Sequence, residues 1–85
     1  MGLFEGIFLK IKIVSAIGGD TIDLKVDPLM TIGDIKKMVA EKKKIPPSTI
    51  VVTFHTREQP DNTTLKEAGI SDGDKLFAVT RTLGG

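Results

Sequence analysis

Gly84 and Gly85 stand at the carboxyl end of the 85-residue sequence, just after Lys75 to Arg81, which reads as the last strand of a small domain. Glycine has no Cβ, so the pair can lie extended in a slot too narrow for any other side chain. The carbonyl of Gly85 then stays open to attack from either face. The chemistry that suits such an end is acyl donation, in which another protein energises the carboxylate and passes it to a nucleophile. From Thr80 to Gly85 an extended chain reaches roughly 17 Å at ~3.3 Å per residue. That is long enough to enter a partner's active site while the body docks outside it.

The remaining side chains narrow the chemistry further. The sequence has no Cys, which removes disulfides, thiolate metal sites and thiol nucleophiles. Its one His, His55, lies beside Thr56 in a turn signal and reads as a turn residue, not a ligand or general base. Twelve basic against eleven acidic residues give a formal net charge of +1, too balanced to advertise a nucleic-acid partner. No apolar run approaches the ~20 residues of a membrane span. Met1 to Phe8 lacks the basic start and apolar core of a signal peptide, and Gly6 replaces the Ser or Thr that myristoylation of Gly2 would want. A soluble, cytoplasmic monomer is expected, with no cofactor, no metal, and no nucleic-acid or membrane partner.

One domain fits this length. Ile7, Leu9, Ile11 and Ile13 alternate with Phe8, Lys10 and Lys12, and after the Gly18-Gly19-Asp20 turn Ile22, Leu24 and Val26 repeat the alternation; this is a hairpin with one buried face. Thr31 is placed to cap a helix, with Asp34 near the positive end of its dipole. Ile32, Ile35, Met38 and Val39 form one stripe along that helix. Lys42-Lys43-Lys44 suits its negative end, and Ile45-Pro46-Pro47 forces an extended exit. Ile50, Val52 and Phe54 are the inward set of a third strand, with Val51 and Thr53 outward. Thr64 to Glu67 has capping-box spacing for a short helical turn near residues 64–68, which Gly69 ends. After Asp72-Gly73-Asp74, Leu76 and Ala78 point inward and Phe77 and Val79 outward on the last strand.

Together these residues resemble the ubiquitin family. From Asp20 to Gly85 the match needs no gap: Thr21-Ile22, Leu24, Val26, Pro28, Thr31-Ile32, Lys36, Ile45-Pro46-Pro47, Phe54, Asp61, Thr64-Leu65, Ile70, Leu76, Val79, Arg81 and Gly84-Gly85 coincide with the family pattern. One inserted residue near Ser15 to Gly19 brings in the first strand. The resemblance implies an α+β β-grasp fold, a mixed sheet of four to five strands on one helix. It divides the chain into an amino-terminal extension (1–8), the β-grasp domain (9–80) and a flexible tail (81–85). It also implies a protein modifier, not an enzyme, whose Gly85 carboxylate is adenylated, carried as a thioester and joined to lysine amines. The implied partners are ubiquitin-activating and ubiquitin-conjugating type enzymes, a ligase, a processing protease and target-protein lysines. Two rivals share the fold: a sulfur carrier with a thiocarboxylate end, and an interaction domain that is never conjugated. The replaced patch and lysines also resemble archaeal ubiquitin-like modifiers.

Carried over residue by residue, the resemblance makes Gly84 and Gly85 the conjugation site and Arg81 the contact for an activating enzyme. Strand parity, independently of the resemblance, puts Val14, Val51, Thr53, Phe77 and Val79 on the outward face, bordered by Lys10, Lys12, Arg57 and Arg81, and an apolar cluster with a charged rim reads as a partner-binding surface. Thr53 and Phe77 stand where the family has isoleucine and histidine, so partners particular to this chain are expected. Arg57 and Asp72 occupy two familiar chain-branching positions and lack a nucleophilic amine, which leaves Lys42 and Lys43 as candidate acceptors. Lys36 and Asp61 are implied as a largely buried ion pair. Lys44 stands where the family ends its helix with Gly, so it either adopts a left-handed conformation or the helix ends differently.

Overall fold

The structure, a computed structural model, describes residues 8–16 and 18–81. Strands β1 (Leu9–Ser15) and β2 (Thr21–Val26) form the expected hairpin, paired from Leu9 opposite Val26 to Val14 opposite Thr21. Helix α1 (Ile32–Lys43) follows, then a 3-10 turn (Pro47–Thr49), β3 (Ile50–Phe54), β4 (Arg57–Glu58), the four-residue α2 (Leu65–Ala68) and β5 (Lys75–Thr80). The strand order is β2-β1-β5-β3-β4. β5 runs parallel to β1 and antiparallel to β3. This is the expected β-grasp, a five-stranded mixed sheet on one main helix.

The alternation read from the sequence sets the faces. Leu9, Ile11 and Ile13 of β1, Ile22, Leu24 and Val26 of β2, and Leu76 and Ala78 of β5 are buried beneath Ile32, Ile35 and Val39 of α1. Each aliphatic side chain so buried contributes about 1.5–3 kcal/mol relative to exposure. Met38 is only partly buried, and the helix buries Ala40 and Lys36 beside the expected stripe.

Both helix N-termini carry capping boxes: Thr31 with Asp34 on α1 and Thr64 with Glu67 on α2. Beyond these local caps, the two helix starts satisfy one another through their approach loops. The Ile32 and Gly33 amides donate to the carbonyls of Thr63 and Asp61, at 2.9 and 2.8 Å, while the Leu65 and Lys66 amides donate to those of Met30 and Pro28, both at 2.9 Å. First-turn amides have no partner inside their own helix, so this exchange ties residues 28–33 to 61–66. At Gly33 an added Cβ would lie 3.2 Å from the Asp61 carbonyl oxygen; a larger residue there would push the two loops apart.

Lys44 takes the first of its two options. It ends α1 in the left-handed region at φ 58°, with its amide on the Ala40 carbonyl. His55 and Thr56 also have positive φ, 54° and 64°, and form the two-residue turn between β3 and β4. That geometry is the I′ turn that favours Asn-Gly.

Candidate functional site

Residues opposite one another across a sheet share a face, so the strand register defines the outer surface. Val14 lies beside Phe77, Phe77 beside Thr53 and Thr53 beside Glu58, giving one row across four strands. Val51 lies beside Val79 in the next row. The structure therefore gathers all five apolar-face positions expected from the sequence. Phe77 is 48% and Val79 36% exposed, so two apolar side chains two apart on β5 open together to solvent.

Two members differ from expectation. Val51 faces outward but is only 9% exposed and lies outside the core cluster; it is the floor of the patch, not a contact point. Arg57 pairs with the inward-facing Phe54, so it lies on the opposite face from Thr53, at the sheet's edge. The rim charge beside Thr53 is Glu58, which sequence reading passed over. A two-residue turn at His55-Thr56 is the signal that would have found it, because that turn places Glu58 opposite Thr53.

Glu58 also holds Arg81. The Arg81 guanidinium Nη2 donates to both Glu58 carboxylate oxygens, at 3.1 and 3.0 Å, and the Arg81 amide donates to the Thr49 carbonyl at 2.7 Å. The chain thus leaves the fold beside Val79 with its last described backbone amide anchored on β3's approach. Both side chains are about half exposed, and an ion pair in that setting is worth ~0–1 kcal/mol. A partner's carboxylate can compete for Arg81 at little cost. Gly84 and Gly85 lie outside the described residues.

The lysines separate by environment. Lys42 is exposed on the last turn of α1. Lys43 is not the free amine expected: its side chain is 16% exposed and its Nζ is ion-paired with Asp20. The hydrogen bond from Lys43, helped by the Asp20 backbone amide, holds the Asp20 carboxyl below the usual range. The Thr64 backbone amide, with the Thr64 hydroxyl, does the same for Glu67. The Lys36–Asp61 ion pair is present, yet it is one-sided and not largely buried: the Lys36 side chain is 11% exposed and that of Asp61 71%. Among the described residues no group of three or more His, Cys, Asp or Glu could hold a metal ion, and no helix is long and apolar enough to cross a membrane.

A β-grasp domain with a half-apolar outer sheet face beside the exit of its last strand is the ubiquitin-like arrangement. A model of the ubiquitin family matches residues 7–83, and the chain belongs to that family. It is 43% identical to the ubiquitin of Caldiarchaeum subterraneum, with a TM-score of 0.82 over 92% of this chain and 99% of that one. The ubiquitin-like protein NEDD8 of Dictyostelium discoideum is 33% identical over 85% of this chain and 94% of its own length. The BAG family molecular chaperone regulator 4 of Arabidopsis thaliana is 32% identical over 81% of this chain, which spans only 26% of that longer protein.

Proposed function

We propose that this chain is a ubiquitin-like modifier, a substrate of enzymes that contributes no catalytic side chain of its own. A carboxylate oxygen of Gly85 attacks the α-phosphorus of ATP and expels pyrophosphate. A thiolate of the activating enzyme displaces AMP to give a thioester, which passes to a conjugating enzyme. A deprotonated lysine amine of a target, with a ligase orienting it, attacks the thioester carbonyl and releases the thiolate, leaving an amide. A processing protease reverses or prepares the end, and the cytoplasm is the compartment in which this relay is placed.

The observation that carries the proposal is the extent of the match: this chain covers nearly the whole of two relatives that are themselves called ubiquitin and NEDD8. The position of Arg81 agrees, since it is exposed at the fold's exit, four residues from Gly85. With a cognate activating enzyme, Arg81→Ala should slow pyrophosphate exchange and Gly85→Ala should slow thioester formation more severely. Unchanged rates for both would remove the proposal. Trypsin cutting after Arg81 would leave Thr82-Leu83-Gly84-Gly85 on a modified lysine, a mass tag that identifies targets directly.

The partial match to a longer chaperone regulator favours a second reading, a ubiquitin-like interaction domain that is not conjugated. Deleting Gly84 and Gly85 separates the two, because an interaction domain keeps its activity without them. The sulfur carrier predicts a sulfur-for-oxygen mass change at Gly85 instead.

A further inference from the structure

The same outer face that carries the apolar patch changes character toward its other end. Lys10 of β1 is directly opposite Lys25 of β2, and Lys12 of β1 is directly beside Lys75 of β5. Like charges in direct cross-strand positions destabilise a sheet, yet two such pairs occupy adjacent rows. Only Lys12 has a carboxylate partner, Asp23 at 3.2 Å. Among the described residues no carboxylate pairs with the amines of Lys10, Lys25 or Lys75. The Lys25 ammonium lies 5.0 Å from the centre of the exposed Phe8 ring. An open hollow of about 530 Å³ lies against β1 and β2, lined by Lys10, Lys12, Lys25, Asp23 and Asp72.

We propose that this end of the sheet docks an extended acidic segment of a partner protein, its carboxylates paired with Lys10, Lys12, Lys25 and Lys75. Four ammonium groups, Lys10, Lys12, Lys25 and Lys75, outnumber the three carboxylates of this end, Asp23, Asp72 and Asp74, so the surface is positive. Residues two apart on a strand recur every ~6.8 Å, the spacing of Lys10 and Lys12; acidic residues at alternate positions of an extended peptide match it. Asp23 and Asp72 select against a continuous polyphosphate, because they meet its charge with like charge, whereas a peptide can place an amide or hydroxyl there. Phe8, the aromatic ring at this end, already faces Lys25 and offers no free platform for stacking bases. The proposal concerns the Lys75 end of β5, the opposite end from Arg81, and stands whether or not Gly85 is ever activated.

The test is titration of the full chain with a blocked nonapeptide of alternating serine and glutamate at low salt, followed by amide chemical shifts. Shifts centred on Lys10, Lys12, Lys25 and Lys75 are expected, and Lys25→Glu with Lys75→Glu should weaken binding at least tenfold. The same two substitutions place opposite charges across both lysine pairs, so the melting temperature should rise as binding is lost. Lys25→Gln with Lys75→Gln should weaken binding by a smaller factor, and Phe77→Ser should leave it unchanged. No binding, shifts elsewhere, undiminished affinity in the charge-reversed variant, or tighter binding to oligothymidylate or to phosphatidylserine vesicles would each overturn the proposal.

Discussion

The helix side of the sheet is built from Ile11, Ile13, Val52, Leu76 and Ala78, all essentially inaccessible; the same strands present Lys10, Lys12, Val14, Thr53 and Phe77 to the other side. The inner side has few acceptable compositions, since a cavity or an unpaired polar group there costs several kcal/mol. The outer side tolerates direct lysine–lysine pairs and a half-exposed phenylalanine, neither of which helps the fold. Residues that do nothing for folding are the ones assigned above to partner binding, whereas the inner residues report only how the chain folds.

The sharpest break in this comparison is a matched pair of truncations. Ile35→Ala on the buried stripe should cost about 3–4 kcal/mol in urea unfolding, and Phe77→Ser on the outer face less than about 1 kcal/mol. Comparable losses would mean that the two faces do not differ in kind.

The Lys36–Asp61 pair tests the boundary between these regimes, with one partner buried and the other in water. Losing one partner of a fully buried pair costs about 3–5 kcal/mol, but water around Asp61 screens part of the interaction. Asp61→Ala should therefore lower stability by only about 1–2 kcal/mol, and Lys36→Met, which removes the buried charge as well, by less. A loss near the fully buried value would show that the site is drier than the exposure of Asp61 implies.

Smaller effects of the opposite sign belong to the left-handed residues. Lys44→Gly and Thr56→Gly should each raise stability by about 0.5–1 kcal/mol, because glycine adopts positive φ without a Cβ clash. Thr56 carries the added burden of β-branching. A lowered melting temperature in both would show that side-chain contacts outweigh the backbone strain.

The smallest effect is acid dependence. Asp20 and Glu67 have folded-state pKa values depressed below their unfolded values. Their contribution is therefore complete above the ordinary carboxylate range and is lost as pH falls through the depressed folded values. Glu67→Gln should make the acid limb of a urea-midpoint profile shallower, with Asp20→Asn adding to it. An unaltered limb would show that neither contact persists in solution.

Much of this was legible beforehand. The strand alternation, the Thr31 and Thr64 caps, the Gly69 stop and the inward set Ile50, Val52 and Phe54 appear as read, because side-chain direction and capping depend on residues within a turn of one another. Val51 and Lys43 escaped because each is covered by something distant in sequence. The outward parity of Val51 follows from the alternation of β3, but how deeply it sits under the outer face depends on neighbouring strands. Lys43 sits in a run of three lysines, and nothing local marks it as the one that reaches Asp20 across 23 positions. Arg57 departs from the expected face because that face depends on where the β3–β4 turn falls; a one-residue difference reverses every side chain after it.

The sequence alone settled the identity of the elements other than β4 and the 3-10 turn, and the direction of most side chains, since periodicity, caps and glycine stops are properties of short backbone stretches. Tertiary structure decided which faces became surfaces with a character. The parallel pairing of β1 with β5 joins residues more than 60 positions apart and sets Val14 against Phe77 and Lys12 against Lys75. That neighbour order follows from burying one continuous apolar layer under α1, a condition only the whole chain can meet.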